Sequence, residues 1–321
     1  MVALPSWCLS PGVQNTYYAT RTAQCGIFSG TLTVRQFVNG APTGPITGTM
    51  NFLMYHYVYT LTDSVTWANQ TTVSPTTISG TAAGTQISGS ASCTGSCTQQ
   101  SQTFPVQTPG AQQNANGESY YKWTGSPGQV GAGTPRWTLT FKAPAARNPS
   151  SLARTATPVR CDNALPGSTK AGCVIAAITP WIRYDGSSFL EFGQHVAGAQ
   201  ASGLPGARAG SPLHRITNAA AITANRNKAC PASFPRPANR DCDEYPFAST
   251  REGAASGGGA ARTQSWCQIA LPNPPSTGTQ GYSVCMIDRR ENQQAGSLLN
   301  SMLFVPYRVL DQDAFNVDIV R

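Results

Sequence analysis

Charge is scarce in this chain. Of 321 residues only 11% are charged, and only 14 are acidic. Histidine is scarcer still, with three copies. No run of 18 apolar residues occurs, so no membrane span is expected. There is no phosphate-cradling P-loop, no dinucleotide fingerprint and no internal repeat, which removes the common nucleotide-dependent classes and the solenoids. Residues 1–7 have neither a basic segment nor a long apolar one, so a secretory signal, if the protein has one, is expected to lie outside this sequence.

Cysteine, glycine, proline and small hydroxyl residues are plentiful, as in a secreted β-rich protein. The ten Cys fall into five local pairs, and an even count at short separations reads as disulfides formed in an oxidising compartment. Neighbour pairing gives 8–25, 93–97, 161–173, 230–242 and 267–285, although spacing alone leaves other connectivities open. A zinc site is disfavoured, because Cys93-x3-Cys97 has no matching second half.

The length suggests two domains. Residues 1–143 read as an all-β, sandwich-like domain: residues 31–35, 50–61 and 138–142 have strand character, with turn signals between. Residues 74–117 are poor in apolar groups and read as long loops or short edge strands. Residues 144–158 look like an exposed linker. Residues 159–321 mix strands and helices without a βαβ rhythm, so an α+β domain with an antiparallel sheet and a few helices is expected. Its expected strands are 174–178, 189–196, 283–287, 305–310 and 314–320. Its expected helices are 217–227, capped by Thr217 or Asn218, then 247–255 and 292–304.

The net charge of +8 divides as +3 over residues 1–145 and +5 over 146–321, where 15 of 17 basic residues are Arg. The Arg fork suits phosphate oxygens. Against this background Asp241, Asp243 and Glu244 put three of the few acids within four positions, beside Cys242 and ahead of Tyr245-Pro246. Such crowding costs free energy unless a cation, a proton or hydrogen bonds offset it. One carboxylate could bind Mg²⁺ or Mn²⁺ while another orients water; capping and Arg pairing is the competing reading. A bridge from Cys230 to Cys242 would anchor the loop. Among the histidines His214 is the candidate general base. His56 and His195 read as structural. Glu252 could support a neighbouring ligand, Asn292 could be a ligand or a cap, and Arg289 or Arg290 could grip phosphate.

The run Cys242-Asp243-Glu244-Tyr245-Pro246-Phe247-Ala248-Ser249-Thr250-Arg251-Glu252-Gly253 resembles the signature of the NucA/NucB deoxyribonuclease family. Pro212-Leu213-His214-Arg215 upstream extends the resemblance, as do Glu291-Asn292-Gln293-Gln294-Ala295-Gly296-Ser297 and residues 308–319 downstream, so it covers about residues 205–321. It implies a secreted, metal-dependent, largely non-specific endonuclease acting on DNA. The essential acid would be Asp243, with Glu244 beside it, and His214, Glu252, Asn292 and Ser297 would line the site. A divalent Mg or Mn ion would be held by Asp243, Glu244 and Asn292, with Arg215, Arg251, Arg289 and Arg290 on substrate phosphates. The chain departs from small members in its many Cys, in Cys242 where a basic residue is common, and in residues 1–143; it resembles longer, actinobacterial-type members. Two alternatives stay open. One is a surface- or polymer-binding module with a structural ion. The other is a nuclease toxin fragment of a larger precursor, whose partners would include an inhibitor or immunity protein. The sequence leaves the oligomeric state open, and the Arg excess argues against a glycosidase.

Overall fold

The computed structural model describes residues 1–9, 15–144 and 146–320. They form two compact units, one of Met1–Ala164 with Thr169–Ile178, the other of Leu165–Ser168 with Thr179–Arg321. The strands of the first are, in chain order, β1 (Tyr17–Ala19), β2 (Ala23–Arg35), β3 (Ile46–Tyr59), β4 (Thr66–Gly80), β5 (Gln86–Gly95), β6 (Thr98–Thr103), β7 (Ala115–Lys122), β8 (Val130–Lys142), β9 (Ser150–Thr155), β10 (Val159–Asp162) and β11 (Gly172–Val174).

One sheet of this unit runs β1-β2-β3-β4-β7-β6, and the other runs β11-β10-β8-β5 with β9 also on β8. Their inward residues form one apolar core. Met50, Phe52 and Met54 of β3 and Trp67 of β4 share it with Trp137, Leu139 and Phe141 of β8. The period-two alternation along β3 and β8 is what turns these side chains inward. The sandwich expected from the sequence is therefore present. His56 is packed inside it between Tyr17 and Asn69.

Residues 74–117 are more ordered than their composition suggests. They complete β4 and supply β5, β6 and β7. Strand β6 is exposed along its whole length, so it carries no alternation to read. The expected linker is also strand: β9 pairs with β8 from Phe141↔Ser150 to Arg136↔Thr155, with Leu152 packed on the core. Strands β10 and β11 then continue the same sheet, cross-linked at the register pair Cys161↔Cys173, so the first unit reaches Ile178.

The second unit contains β12 (Trp181–Asp185), α1 (Leu190–Ala201), β13 (Leu213–His214), α2 (Ala219–Ala229), β14 (Arg240–Tyr245), β15 (Ala261–Arg262), β16 (Tyr282–Asp288), α3 (Arg289–Leu298) and β17 (Ala314–Val320). Its sheets are β12-β17-β13 and β14-β16-β15, each with one parallel and one antiparallel pair. The α+β class is as expected, but four local expectations fail. Of residues 174–178 only Val174 is strand, as the end of β11 in the first unit, and residues 176–178 turn. Residues 190–196 lie in α1, with Phe189 at its N-cap position, rather than in a strand, because the Glu291 carboxylate accepts the N–H groups of Glu191 and Phe192 and so caps a helix 100 residues away in sequence. Residues 247–255 form turns, and so do residues 305–308, where Arg308 has φ of 46°. Of the two candidate caps for α2, Asn218 accepts from Ala221 N at 3.0 Å.

All five disulfides follow the neighbour pairing. The Cys230–Cys242 bridge closes a 12-residue separation and ties the end of α2 to β14. Replacing both cysteines with Ser is expected to lower the unfolding free energy by roughly 3 kcal/mol. Urea unfolding of the oxidised protein measures this, and an unchanged midpoint would contradict it.

Candidate functional site

The acidic run occupies β14, an edge strand bonded only to β16 within its sheet. Successive side chains of an extended strand point to opposite faces. Asp243 and Tyr245 turn toward α1, and Glu244 turns toward the start of the Cys230–Cys242 bridge. Because the strand is an edge, side chains from both of its faces reach one cleft of about 880 Å³. Asp243, Glu244 and Asn292 line it, with Arg215, Arg226 and Arg236.

Asp243 is 4% exposed, and its Oδ2 lies 2.6 Å from His195 Nδ1 on α1. His195 Nε2 is 2.9 Å from Ser283 Oγ on β16. Tyr245 is fixed on the same side: its hydroxyl donates to Pro205 O at 2.7 Å and accepts from Gln200 Nε2 at 2.9 Å. Burial raises the pKa of the Tyr184 hydroxyl, and the charge of Asp243 adds to the shift. That hydroxyl donates to Ala295 O.

Glu244 sits 3.7 Å, by Oε2, from Cys230 Sγ. Burial, and then the adjacent Asp243, push its pKa up to about 8, against the opposing pull of Arg226 and a backbone hydrogen bond from Ala248. A carboxyl so placed holds a proton at neutral pH unless a cation restores its charged form. Asp241 is different, because Arg289 Nε at 3.0 Å and Gln293 Nε2 at 3.3 Å occupy its two oxygens. All three acids line the cleft, but they differ in partner: Asp241 pairs with Arg289, Asp243 with His195, and Glu244 with no cationic side chain at hydrogen-bond distance among the described contacts.

Buried Asn225 shapes the loop after β14. It donates to Ala248 O and Thr250 O and accepts from Ala255 N and Ser256 N, which uses both of its donors and its carbonyl oxygen. These bonds replace the helix expected over residues 247–255. The Tyr245–Pro246 peptide is cis.

The other sequence-derived candidates are dispersed. His214 and Glu252 form a pair: Glu252 accepts His214 N at 2.9 Å, and its Oε1 is 2.8 Å from His214 Nδ1. Arg251 Nε lies 3.7 Å from the same carboxylate. None of the three lines the cleft, and neither do Arg289, Arg290 and Ser297. Arg215 does, but its guanidinium stacks on Phe304 at 4.2 Å and donates to Val309 O. Arg226 on α2 and Arg236 are exposed members of the wall that no motif had singled out. His195 was read as structural, and its contact with Asp243 spans 48 residues of sequence.

Among the described residues no three His, Cys, Asp or Glu side chains gather as a metal cage. The cleft instead offers oxygen donors: the carboxyls of Asp241, Asp243 and Glu244, the first of them taken up by Arg289 and Gln293, and the Asn292 amide are on its lining. That set fits a hard Mg²⁺ or Mn²⁺ ion, which keeps several waters and needs only one or two carboxylates.

This architecture places a crowded acidic edge inside an arginine-walled cleft, an arrangement suited to phosphate esters. Residues 207–318 match the family described as Deoxyribonuclease NucA/NucB. The second unit therefore carries a disulfide-rich NucA/NucB-type domain, which supports a nuclease function with DNA as the substrate class. No curated protein matches the chain.

The raised pKa of Glu244 has a thermodynamic signature. Below the ordinary value of 4.5 it is protonated in both folded and unfolded chains. Between there and about 8 the unfolded chain releases the proton while the folded one keeps it, so stability falls as pH rises through that window. In EDTA, Glu244→Gln is expected to raise the melting temperature relative to the parent protein more at pH 8 than at pH 5. An equal offset at both pH values would contradict the assignment.

Proposed function

We propose that the protein is a secreted, metal-dependent endonuclease that hydrolyses DNA phosphodiester bonds with little sequence preference. The observation that carries this reading is the pair Asp243 and Glu244, both on the lining of a cleft that Arg215, Arg226 and Arg236 also line, within the segment matched to the family. Five disulfides favour an oxidising, extracellular setting. No helix among the described residues is long and apolar enough to cross a membrane.

Asp243, Glu244 and Asn292 would hold the divalent ion. When bound, such an ion neutralises a phosphate oxygen and the charge that develops at phosphorus. The chain's own groups perform the remaining tasks. Glu252 pairs with Nδ1 of His214 beside Arg215, outside the cleft lining, so Nε2 is the nitrogen that would take a proton from the attacking water where the bound substrate extends past the cleft to it. Arg226 binds a flanking phosphate through its fork, while Arg215, tied to Val309 O, and Arg236, tied to Phe234 O and Cys230 O, contribute their charge to the same wall. Contacts of this kind read backbone rather than bases, so cleavage is nearly indifferent to sequence and binding weakens with salt.

A plasmid degradation assay at low salt with Mg²⁺ or Mn²⁺, and an EDTA control, tests the proposal. Asp243→Asn is expected to reduce cutting by ~10²-fold or more, and His214→Ala by a smaller factor. Arg226→Ala and Arg236→Ala are each expected to raise KM and to lower the salt slope of binding by about one. Absence of cutting by oxidised, folded protein with every divalent ion tried would exclude the nuclease.

A further inference from the structure

We infer that His195 is a positioning residue for Asp243, so that the working site extends N-terminal to the segment that carries the family match. The inference rests on the nuclease reading of the cleft. His195 lies on α1, ahead of residue 207 where the match begins, and its side chain has no exposure at all. Both of its ring nitrogens are engaged, Nδ1 with Asp243 Oδ2 at 2.6 Å and Nε2 with Ser283 Oγ at 2.9 Å.

An ionised carboxylate can only accept, so Nδ1 carries the hydrogen toward Asp243, and Ser283 donates to Nε2. The two partners together select one tautomer and fix the plane of the ring. The charge-assisted bond then fixes the Asp243 side chain, with one oxygen held by the ring and the other left for the cleft that Asp243 lines. This is how an outer partner orients a ligand or reacting carboxylate.

The helix that carries His195 is held at three points. Gln264 Nε2 donates to the His195 carbonyl at 3.0 Å. Glu291 caps the first turn of α1. Glu191, on that turn, accepts from Asp288 N at 2.6 Å and from Arg240 on β14 itself. A histidine serving only to fill the core would need neither a cleft-lining carboxylate as its partner nor a helix braced against the strand that carries it.

The side-chain amide of Asn can take the place of Nδ1, and that of Gln the place of Nε2, which gives a test. His195→Asn, His195→Gln and Ser283→Ala are compared with the parent protein by Mn²⁺ affinity from electron paramagnetic resonance, by DNA cleavage kinetics and by thermal melting. His195→Asn is expected to stay within about tenfold of the parent in Mn²⁺ affinity and kcat. His195→Gln is expected to lose 10–100-fold in both, with the KM for DNA unchanged, although the two variants melt at similar temperatures. Ser283→Ala, which keeps the Nδ1 bond but frees the ring, is expected to fall at the mild end, about tenfold. Equal losses in the Asn and Gln variants, tracking their melting temperatures, would assign His195 to packing alone and overturn the inference. Should His195→Gln fail to fold, parental Mn²⁺ affinity in Ser283→Ala overturns it. A parent protein that cuts no DNA defeats the nuclease reading instead, and the Mn²⁺ contrast still decides whether His195 positions Asp243.

Discussion

Two adjacent carboxyls share a water-poor edge of β14, and much of the second unit can be understood as the arrangement that makes this tolerable. A buried acid is costly unless paired, hydrogen-bonded or protonated, and here the two neighbours take different routes. Asp243 is hydrogen-bonded to an imidazole that is fixed in turn by a hydroxyl. Glu244 has only a distant Arg226 and a backbone hydrogen bond against it, and is driven toward the neutral form. An acid pair split in this way has a natural complement in a divalent cation, which would relieve the repulsion and recover the second charge.

The supporting structure serves that edge from both ends. The Cys230–Cys242 bridge anchors β14 between Asp241 and the Asp243–Glu244 pair, and Arg289 pairs with Asp241 before it can add to the repulsion. On the far side the chain turns through a loop organised by Asn225, which sets Ala248 and Ser249 on the cleft and brings Glu252 to His214. Rigid placement of this kind is what separates a working site from a loose collection of the same residues. The first unit contributes a disulfide-bridged sandwich with a core of its own.

Much of this was legible in the sequence where the determinants are local. The five disulfides followed neighbour pairing. The alternating stretches of β2, β3, β8 and β17 read as strands, and Asn218 stood as a cap just ahead of its helix. The acidic run stood out because acids are so rare elsewhere. Reading failed where the determinant is remote. Helix α1 owes its start to Glu291, far along the chain, so its first residues looked like a strand. The importance of His195 depends on Asp243 and Ser283, neither of them near in sequence. Arg226 and Arg236 sit in no motif, and only the fold brings them to the wall. Strand β9 looked like a linker because its outward side is polar and exposed, and only Leu152 reports its inner side.

The most direct measurement of the central claim is calorimetric titration of Mn²⁺ into the oxidised protein at pH 7, in two buffers of different ionisation heat. Binding at the acidic edge must displace the proton that Glu244 holds. The account predicts a single ion bound with net proton release, much reduced at pH 9, and lost in Asp243→Asn. Binding without proton release, or binding unchanged in Asp243→Asn, would contradict it.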